Sequence, residues 1–343
     1  MSSSEDFSQI LRRVVGGETL DADASAQAFT QMMSGSVSEP RMAAFLTALA
    51  IRGAAEDELV GAVRAMRSSM QRISAPAHAI DLCGTGGDGH CTLNVSSAAS
   101  FVVAACGVPV AKHGNRNMSS RTGAADVLEE LGVKIDLAPA AAEAMLRETN
   151  FCFLFAPAYH SAMTHVAPVR RELGFRTIFN LLGPLSNPAG VKRQLLGVFA
   201  RDWIEPLANV LAALGTTKAW IVHGSDGLDE MTITGTTHVA VLEDGKVTRH
   251  DVAPEEIGLK RATLADIKGG GAKENAQAIR SLLDGAKNAF RDIVVLNAAA
   301  ALVIASKAKN LKAGAVLAAE AIDTGAAKDV LARVAALSRK AAA

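Results

Sequence analysis

The sequence predicts an α/β fold in which an all-helical stretch leads into a mostly parallel sheet. Three observations carry that expectation. Residues 1–72 show apolar residues at helical spacing only. From about residue 78, short apolar runs alternate with helical segments that end in glycine. The length, 343 residues with 49% hydrophobic, suits two domains, or one with an insertion, and a sizeable core.

In the helical stretch, Ser38-Glu39-Pro40 has the form of a helix start, a capping serine and an early proline before residues 42–51, and Gly53 ends that helix. The next helix carries Leu59, Val63, Met66 and Met70 as one apolar stripe, the pattern of a core or partner interface. Beyond it, 79–83 reads as a strand before a Gly-rich loop, 96–106 as a helix closed by Gly107, and 108–111 as a strand before a polar loop. Then 122–131 is helical up to Gly132, 133–137 is a strand, 139–148 a helix, and 151–155 a strand ending at Ala156-Pro157. This order predicts parallel strands joined by right-handed crossovers. Residues 162–187 break the pattern, with Val166, Val169, Leu173 and Ile178 among many charges, so short helices and turns that leave the sheet are expected. The alternation returns with a helix near 203–214, a strand at 219–222 and a hairpin turn at Asp244-Gly245. After Gly269-Gly270-Gly271 the chain is Ala-rich, and the recurring Leu, Val and Ile predict tightly packed helices.

Composition excludes several function classes. Lys+Arg and Asp+Glu both number 35, so the chain lacks the basic excess of a general nucleic-acid or membrane binder. Aromatic residues, at 4%, are too few for a stacking surface for single strands. Cys83, Cys91, Cys106 and Cys152 form no CxxC pair and no zinc-spaced cluster, and read as small hydrophobes in a reducing compartment. No apolar run suggests a signal peptide or a membrane span, so a cytoplasmic protein is expected.

In an open parallel sheet, ligands bind beyond the carboxyl ends of the strands. Three expected strands end in unusual loops. The first is Gly84-Thr85-Gly86-Gly87-Asp88-Gly89, followed by Asn94-Val95-Ser96-Ser97 at a helix start. Four glycines in six positions let backbone N–H groups converge on an anion, and the helix start adds positive potential. Ser96 and Ser97 offer hydroxyls to a phosphate or a metal. A plain tight turn is the alternative, since the run matches neither the dinucleotide nor the Walker glycine pattern. The second is Lys112-His113-Gly114-Asn115-Arg116, then Ser119-Ser120 and Arg121-Thr122-Gly123. Three cations beside a phosphate loop fit neutralisation of a diphosphate, against a merely solvated basic loop. The third is His223-Gly224-Ser225-Asp226-Gly227-Leu228-Asp229-Glu230, whose adjacent carboxylates suit Mg²⁺, a hard cation, or a solvated acidic turn.

Together and in this order, these loops resemble the anthranilate phosphoribosyltransferase family. A fourth and more specific stretch is Arg176-Thr177-Ile178-Phe179-Asn180-Leu181-Leu182-Gly183-Pro184-Leu185-Ser186-Asn187-Pro188. The likeness extends over essentially the whole chain. It implies a nucleoside phosphorylase/phosphoribosyltransferase-like fold. A small helical domain, 1–72 plus the 162–187 excursion, would be hinged to an α/β domain of 73–161 and 188–343. It implies a homodimer through the helical domain and a step of tryptophan biosynthesis. Residue by residue, it places the Gly84–Asp88 run with Thr85, Gly86 and Gly87, together with Asn94, Ser96, Ser97, Lys112, Ser119 and Ser120, on 5-phosphoribosyl-1-diphosphate. Ser96, Asp229 and Glu230 fall on Mg²⁺ ligand positions, and Gly84, Asn115 and Arg170 on anthranilate positions with His113 and Pro157 lining its entry. The chain departs from the family at Leu93, Ser97, Asn117-Met118, Met163 and Gly270-Gly271, none of them a metal ligand.

The implied reaction displaces diphosphate from the anomeric carbon by an aromatic amine through an oxocarbenium-like transition state, so no protein nucleophile is required. Mg²⁺ held by Asp229 and Glu230, with Lys112, would stabilise the leaving diphosphate. Arg170 would pair with the anthranilate carboxylate in a fork that Lys cannot copy. His113 is the nearby candidate for a base, or a histidine bonded to backbone. Two rivals remain: a pyrimidine nucleoside phosphorylase, whose Lys-His-Ser-type loop is absent here, and a non-catalytic nucleic-acid-binding paralogue, which should show a basic face.

Overall fold

The computed structural model describes residues 6–116 and 122–341, so the expected donor contacts Ser119 and Ser120, and Arg121 beside them, lie outside the described residues. The helical stretch forms α1 (Phe7–Val15), α2 (Ala22–Met33), α3 (Glu39–Arg52) and α4 (Glu56–Ser69). Leu59, Val63, Met66 and Met70 are all buried, as the stripe requires. Ser38 and Gly53 flank α3 as expected, but the Ser38 side chain makes no capping bond. Glu58 is fully buried and holds this layer together. Its carboxylate pairs with Arg52 and accepts the N–H groups of Leu20 at 3.0 Å and Ala55 at 2.9 Å.

The rest follows as β1 (Ile80–Gly84), α5 (Val95–Ala105), β2 (Val110–Gly114), α6 (Ala124–Glu130), α7 (Pro139–Thr149), β3 (Phe151–Phe155), α8 (Ala156–Tyr159), α9 (Ala167–Leu173) and α10 (Phe179–Leu182). Then come β4 (Arg193–Gly197), α11 (Ile204–Ala213), β5 (Lys218–Gly224), β6 (Thr237–Glu243) and β7 (Lys246–Val252). Four helices close the chain: α12 (Ala272–Leu283), α13 (Ala289–Ile304), α14 (Leu311–Asp323) and α15 (Ala326–Ala341). The sheet order is β3-β2-β1-β4-β5-β6-β7, parallel through β5 and antiparallel at β6 and β7. The β6–β7 hairpin turns at Asp244 and Gly245, both at positive φ.

Successive strand residues point to opposite faces, and the two faces feed separate cores. Leu82, Leu195 and Val222 pack with α5, α7 and α12–α15, whereas Cys83, Leu196 and Ile221 pack with α1–α4, α9, α10 and α11. The Ala-rich end is tightly packed: Ala298–Ala301 are fully buried, and a Cβ added at Gly314 would come within 2.7 Å of the Ala299 carbonyl oxygen.

Two expectations need correction. Residues 133–137 are extended, with Val133, Ile135 and Leu137 buried and Lys134 and Asp136 exposed, yet they join no sheet. The alternation came from packing one face on helices; the Lys134 N–H donates to Ser338 Oγ on α15 at 3.0 Å, not to a strand. Strand β2 runs on to Gly114, so Lys112 and His113 lie in the sheet, at 2% and 5% exposure, and not in a polar loop. Among the described residues, no helix is long and apolar enough to cross a membrane.

Candidate active site

The chain goes from β1 to β2 on one side and returns from β3 to β4 on the other, so the connections part between β1 and β4. That is where an open α/β sheet offers a crevice. Strands β1, β2, β4 and β5 all end there at glycines: Gly84, Gly114, Gly197 and Gly224. The loop after β5 crosses over the end of β4 to reach β1. A Cβ on Gly197 would sit 1.6 Å from the Asp229 carbonyl oxygen, and one on Gly84 would sit 2.4 Å from Asp229 Oδ2. Any larger residue at either place would push Asp229 away from the Gly loop.

The crevice encloses about 400 Å³. Of the described residues given a binding or metal role from sequence, every one lines it except Pro157. Pro157 is exposed on α8, and its neighbour Ala156 takes the place on the wall. A larger hollow of about 910 Å³ lies beside α11, β6 and β7. Arg249 pairs there with Glu205 at 3.0 Å and His238 Nδ1 lies 2.8 Å from Asp251, and no singled-out residue lines it. The smaller crevice is therefore the candidate site.

Four hydrogen bonds among the described residues tie the Gly loop to its surroundings. The Thr85 N–H donates to Gly197 O at 2.9 Å, and Thr85 Oγ1 accepts the Phe199 N–H at 3.0 Å. Asp229 Oδ2 accepts the Gly86 N–H at 2.7 Å. Arg176 donates to the Gly87 carbonyl and lies over the Phe199 ring, 4.3 Å from its centroid. Because Asp229 occupies the Gly86 N–H, the N–H groups beyond it are the ones left for an anion.

At the start of α5, the Ser96 N–H donates to Glu230 Oε1 at 3.1 Å. Lys112 Nζ donates to Leu82 O at 2.5 Å and to Ser96 Oγ at 3.1 Å, leaving a third N–H with no partner among the described residues. Ser97 Oγ is buried without a partner among the described residues. Asn94 Oδ1 accepts from Asn275 Nδ2 at 2.8 Å, so Asn275 on α12 fixes the loop that enters α5.

Burial, then repulsion from Asp88 and Glu230, pushes the Asp229 carboxyl well above its ordinary range. Burial raises Glu230 to about 7, although Lys112 and the Ser96 N–H pull it back. The site is thus short of positive charge. Among the described residues no group of three or more His, Cys, Asp or Glu side chains is poised around a metal. Asp229, Glu230 and the Ser96 hydroxyl are hard oxygen donors, but too few to fill a coordination shell. That suits Mg²⁺, which keeps waters and takes substrate phosphate oxygens alongside one or two carboxylates.

On the far wall, burial and the nearby His160 lower His113 to about 3, so its imidazole is neutral at physiological pH. The two rings lie 5.1 Å apart, and both Nε2 atoms are buried without a partner among the described residues. The contribution of a neutral buried histidine to stability is present above its unfolded pKa of about 6.5 and fades as pH falls from there toward 3. Acceptor KM at saturating donor should therefore show no imidazole inflection between about pH 6 and 8. An inflection that disappears in His113→Asn would show that His113 does titrate. Arg170, on α9, is partly buried and lies 5.3 Å from the Phe179 ring centroid, its guanidinium reaching the crevice. Asn115 is exposed at the rim.

Arg116 does not lend its charge to the crevice as expected. It pairs with Asp126 at 3.0 Å and Glu129 at 2.5 Å on α6, so Lys112 is the described cation of that run which faces the Gly loop. Sequence reading passed over Arg176, Asn275 and Gly197 as site residues. It also missed Asp81 and Asn187: Asp81, fully buried, accepts the His113 N–H at 3.1 Å and Asn187 Nδ2 at 2.8 Å. Each is brought in by a contact 32 to 181 residues distant in sequence.

Comparison with known proteins agrees with this architecture. Residues 8–70 match the glycosyl transferase family helical bundle domain, and residues 76–328 match the glycosyl transferase family α/β domain. An anthranilate phosphoribosyltransferase of Beijerinckia indica is 55% identical over 336 residues, 98% of each chain. The crystal structure of the anthranilate phosphoribosyltransferase of Thermus thermophilus superposes with a TM-score of 0.91 at 43% identity, covering 96% of this chain and 99% of that one. The Saccharomyces cerevisiae enzyme, solved in complex with 5-phosphoribosyl-1-diphosphate (PRPP) and Mg, superposes with a TM-score of 0.89 at 27% identity over 97% of this chain and 98% of that one.

Proposed function

The chain belongs to the anthranilate phosphoribosyltransferase family, and on that premise we propose that phosphoribosyl transfer takes place in the crevice at the ends of β1, β2, β4 and β5. The phosphoribosyl group of PRPP passes to the amine of anthranilate, giving N-(5-phosphoribosyl)anthranilate and diphosphate. The observation that carries this reading is one shared wall. The Gly loop with the Ser96 helix start, Lys112 and the Asp229-Glu230 pair, from three separate sequence motifs, are hydrogen-bonded to one another.

The donor's diphosphate lies against the loop of Gly84, Thr85, Gly86, Gly87 and Asp88 and the helix start of Asn94, Ser96 and Ser97. Free N–H groups and a positive helix end favour an anion there. Lys112 presents its remaining N–H to the departing oxygens. Asp229, Glu230 and Ser96 would hold Mg²⁺, which when bound would neutralise charge on the diphosphate. Burial favours the protonated state of the two carboxylates, so binding of the cation there would release their protons to solvent. The acceptor lies between Gly84, His113, Asn115 and Arg170, its carboxylate on the Arg170 fork. A neutral His113 cannot donate charge to the amine, and its free Nε2 is a hydrogen-bond acceptor. The aromatic amine is a weak base, so positioning suffices.

The helical part, 1–72 with 162–187, is a domain that moves against 73–161 and 188–343, and it also pairs two copies of the chain. The zero net charge suits a cytoplasmic enzyme of tryptophan biosynthesis rather than a nucleic-acid or membrane binder. The test is loss of anthranilate fluorescence on adding PRPP with Mg²⁺. Loss only when both are present supports the reading; phosphorolysis of a pyrimidine nucleoside in its place would contradict it. Arg170→Ala should raise acceptor KM about tenfold or more, the worth of a charge-assisted pair of about 1.5–3 kcal/mol, with donor KM unchanged. A rise in donor KM alone would remove Arg170 from the acceptor pocket.

A further inference from the structure

We propose that Arg176 is a positioning residue for the donor, a clamp that sets the orientation of the Gly87–Asp88 peptide. The inference rests on the transferase reading above and adds to it a residue of the 162–187 excursion.

Arg176 follows α9, in the 162–187 excursion, and lines the crevice beside the Gly loop. Its guanidinium donates to the Gly87 carbonyl, the one hydrogen bond among the described residues that joins the excursion to the loop. No acid among the described residues is within ion-pair distance of it, so its charge is left uncompensated beside the loop. It lies over Phe199, its Cζ 4.3 Å from the ring centroid, a cation–π contact that restrains the guanidinium. Phe199 is anchored in turn, since its N–H donates to Thr85 Oγ1 at 3.0 Å. The result is a closed circuit, Thr85 to Phe199 to Arg176 to Gly87, that spans the tip of the loop.

A trans peptide is planar, so its C=O and N–H point in opposite directions. Holding the Gly87 carbonyl toward Arg176 turns the Asp88 N–H the other way. Gly86 and Gly87 stand at φ +67 and +79, so without the clamp this peptide has little else to fix it. The contact is also close: a Cβ on Gly87 would lie 3.2 Å from Arg176 Nη2. One interaction thus supplies an oriented donor and an unpaired positive charge at the place where the Gly loop meets a diphosphate. Because Arg176 comes from the excursion, the loop is set only when the excursion and the Gly loop are together.

Arg176→Ala and Arg176→Lys, compared with the parent enzyme, decide it. Arg176→Ala should raise donor KM about tenfold or more while acceptor KM at saturating donor and the melting temperature hold. Arg176→Lys keeps a donor and the charge but loses the guanidinium contact with Phe199, and should recover part of the loss. A donor KM unchanged in Arg176→Ala, beside a parent that consumes anthranilate, overturns the clamp and leaves the transferase reading intact. So does a rise confined to acceptor KM, which would make Arg176 a second carboxylate fork. A fall in melting temperature with both constants disturbed, unrelieved in Arg176→Lys, also overturns it and assigns Arg176 to the fold.

Discussion

Replacing Asp229 by Asn together with Glu230 by Gln should lower turnover about 10³-fold or more, equivalent to about 4 kcal/mol of transition-state stabilisation, while the melting temperature holds or rises. The two effects share one cause. Both carboxylates are half-buried beside Asp88, and both are pushed upward in pKa, Glu230 to about 7. For such a group the favourable contribution to folding is present below the unfolded value and lost as pH rises through the folded one. At neutral pH the pair therefore weakens the metal-free fold, and neutral amides relieve that cost. The amide introduced by Asp229→Asn would keep an oxygen for the Gly86 N–H, and that of Glu230→Gln one for the Ser96 N–H, so the loops keep their ties. What is lost is the negative charge that attracts Mg²⁺. Steady-state rates against Mg²⁺ concentration, beside a melting curve, check both halves. A double variant that titrates with Mg²⁺ like the parent would reduce the pair to a half-buried acidic turn.

Gly197→Ala should cost about a hundredfold or more in turnover and also lower the melting temperature by a few degrees, since overpacking costs about 1–3 kcal/mol. Its Cβ would stand 1.6 Å from the Asp229 carbonyl oxygen, a backbone atom that cannot swing aside. The segment that crosses the end of β4 must lift, taking Asp229 and Glu230 from the Gly loop. Gly84→Ala is the informative partner. Its Cβ would meet the Asp229 carboxylate at 2.4 Å, a side chain that can rotate away. That variant should lose activity with little change in melting temperature. If Gly197→Ala folds and turns over like the parent, the segment is not wedged between β4 and β1 as described.

The contrast between these variants shows what the sequence could and could not disclose. Local patterns were legible: the Leu59–Met70 stripe, the Asp244-Gly245 hairpin and the glycine-rich run after β1 depend on near neighbours and on backbone geometry. Residues 133–137 misled because burying one face of an extended segment produces the same alternation whether the partner is a strand or a helix. Lys112 reads as a loop residue because a polar residue ordinarily ends a strand. Here the strand continues, with the ammonium held by Leu82 O and Ser96 Oγ inside the fold. Arg116 and Arg176 exchanged parts. The first lies in the basic run but is neutralised by acids on α6, whereas the second, far along the chain, faces the Gly loop. Charge counted along a sequence does not say which acids will meet it in space. Gly197 carried no local sign at all, because its need for hydrogen in place of a side chain arises from a segment beginning after the next strand.

Diffraction from crystals grown with PRPP and Mn²⁺, recorded at the manganese absorption edge, locates the donor and its cation in one measurement. An anomalous peak is expected within bonding distance of Asp229, Glu230 or Ser96 oxygens. Diphosphate density should lie along Gly84–Asp88 and the start of α5, toward Lys112 Nζ. A peak or donor density elsewhere, such as the larger hollow beside α11 and β7, with the crevice at the ends of β1 and β4 empty, would contradict the site assigned to this chain.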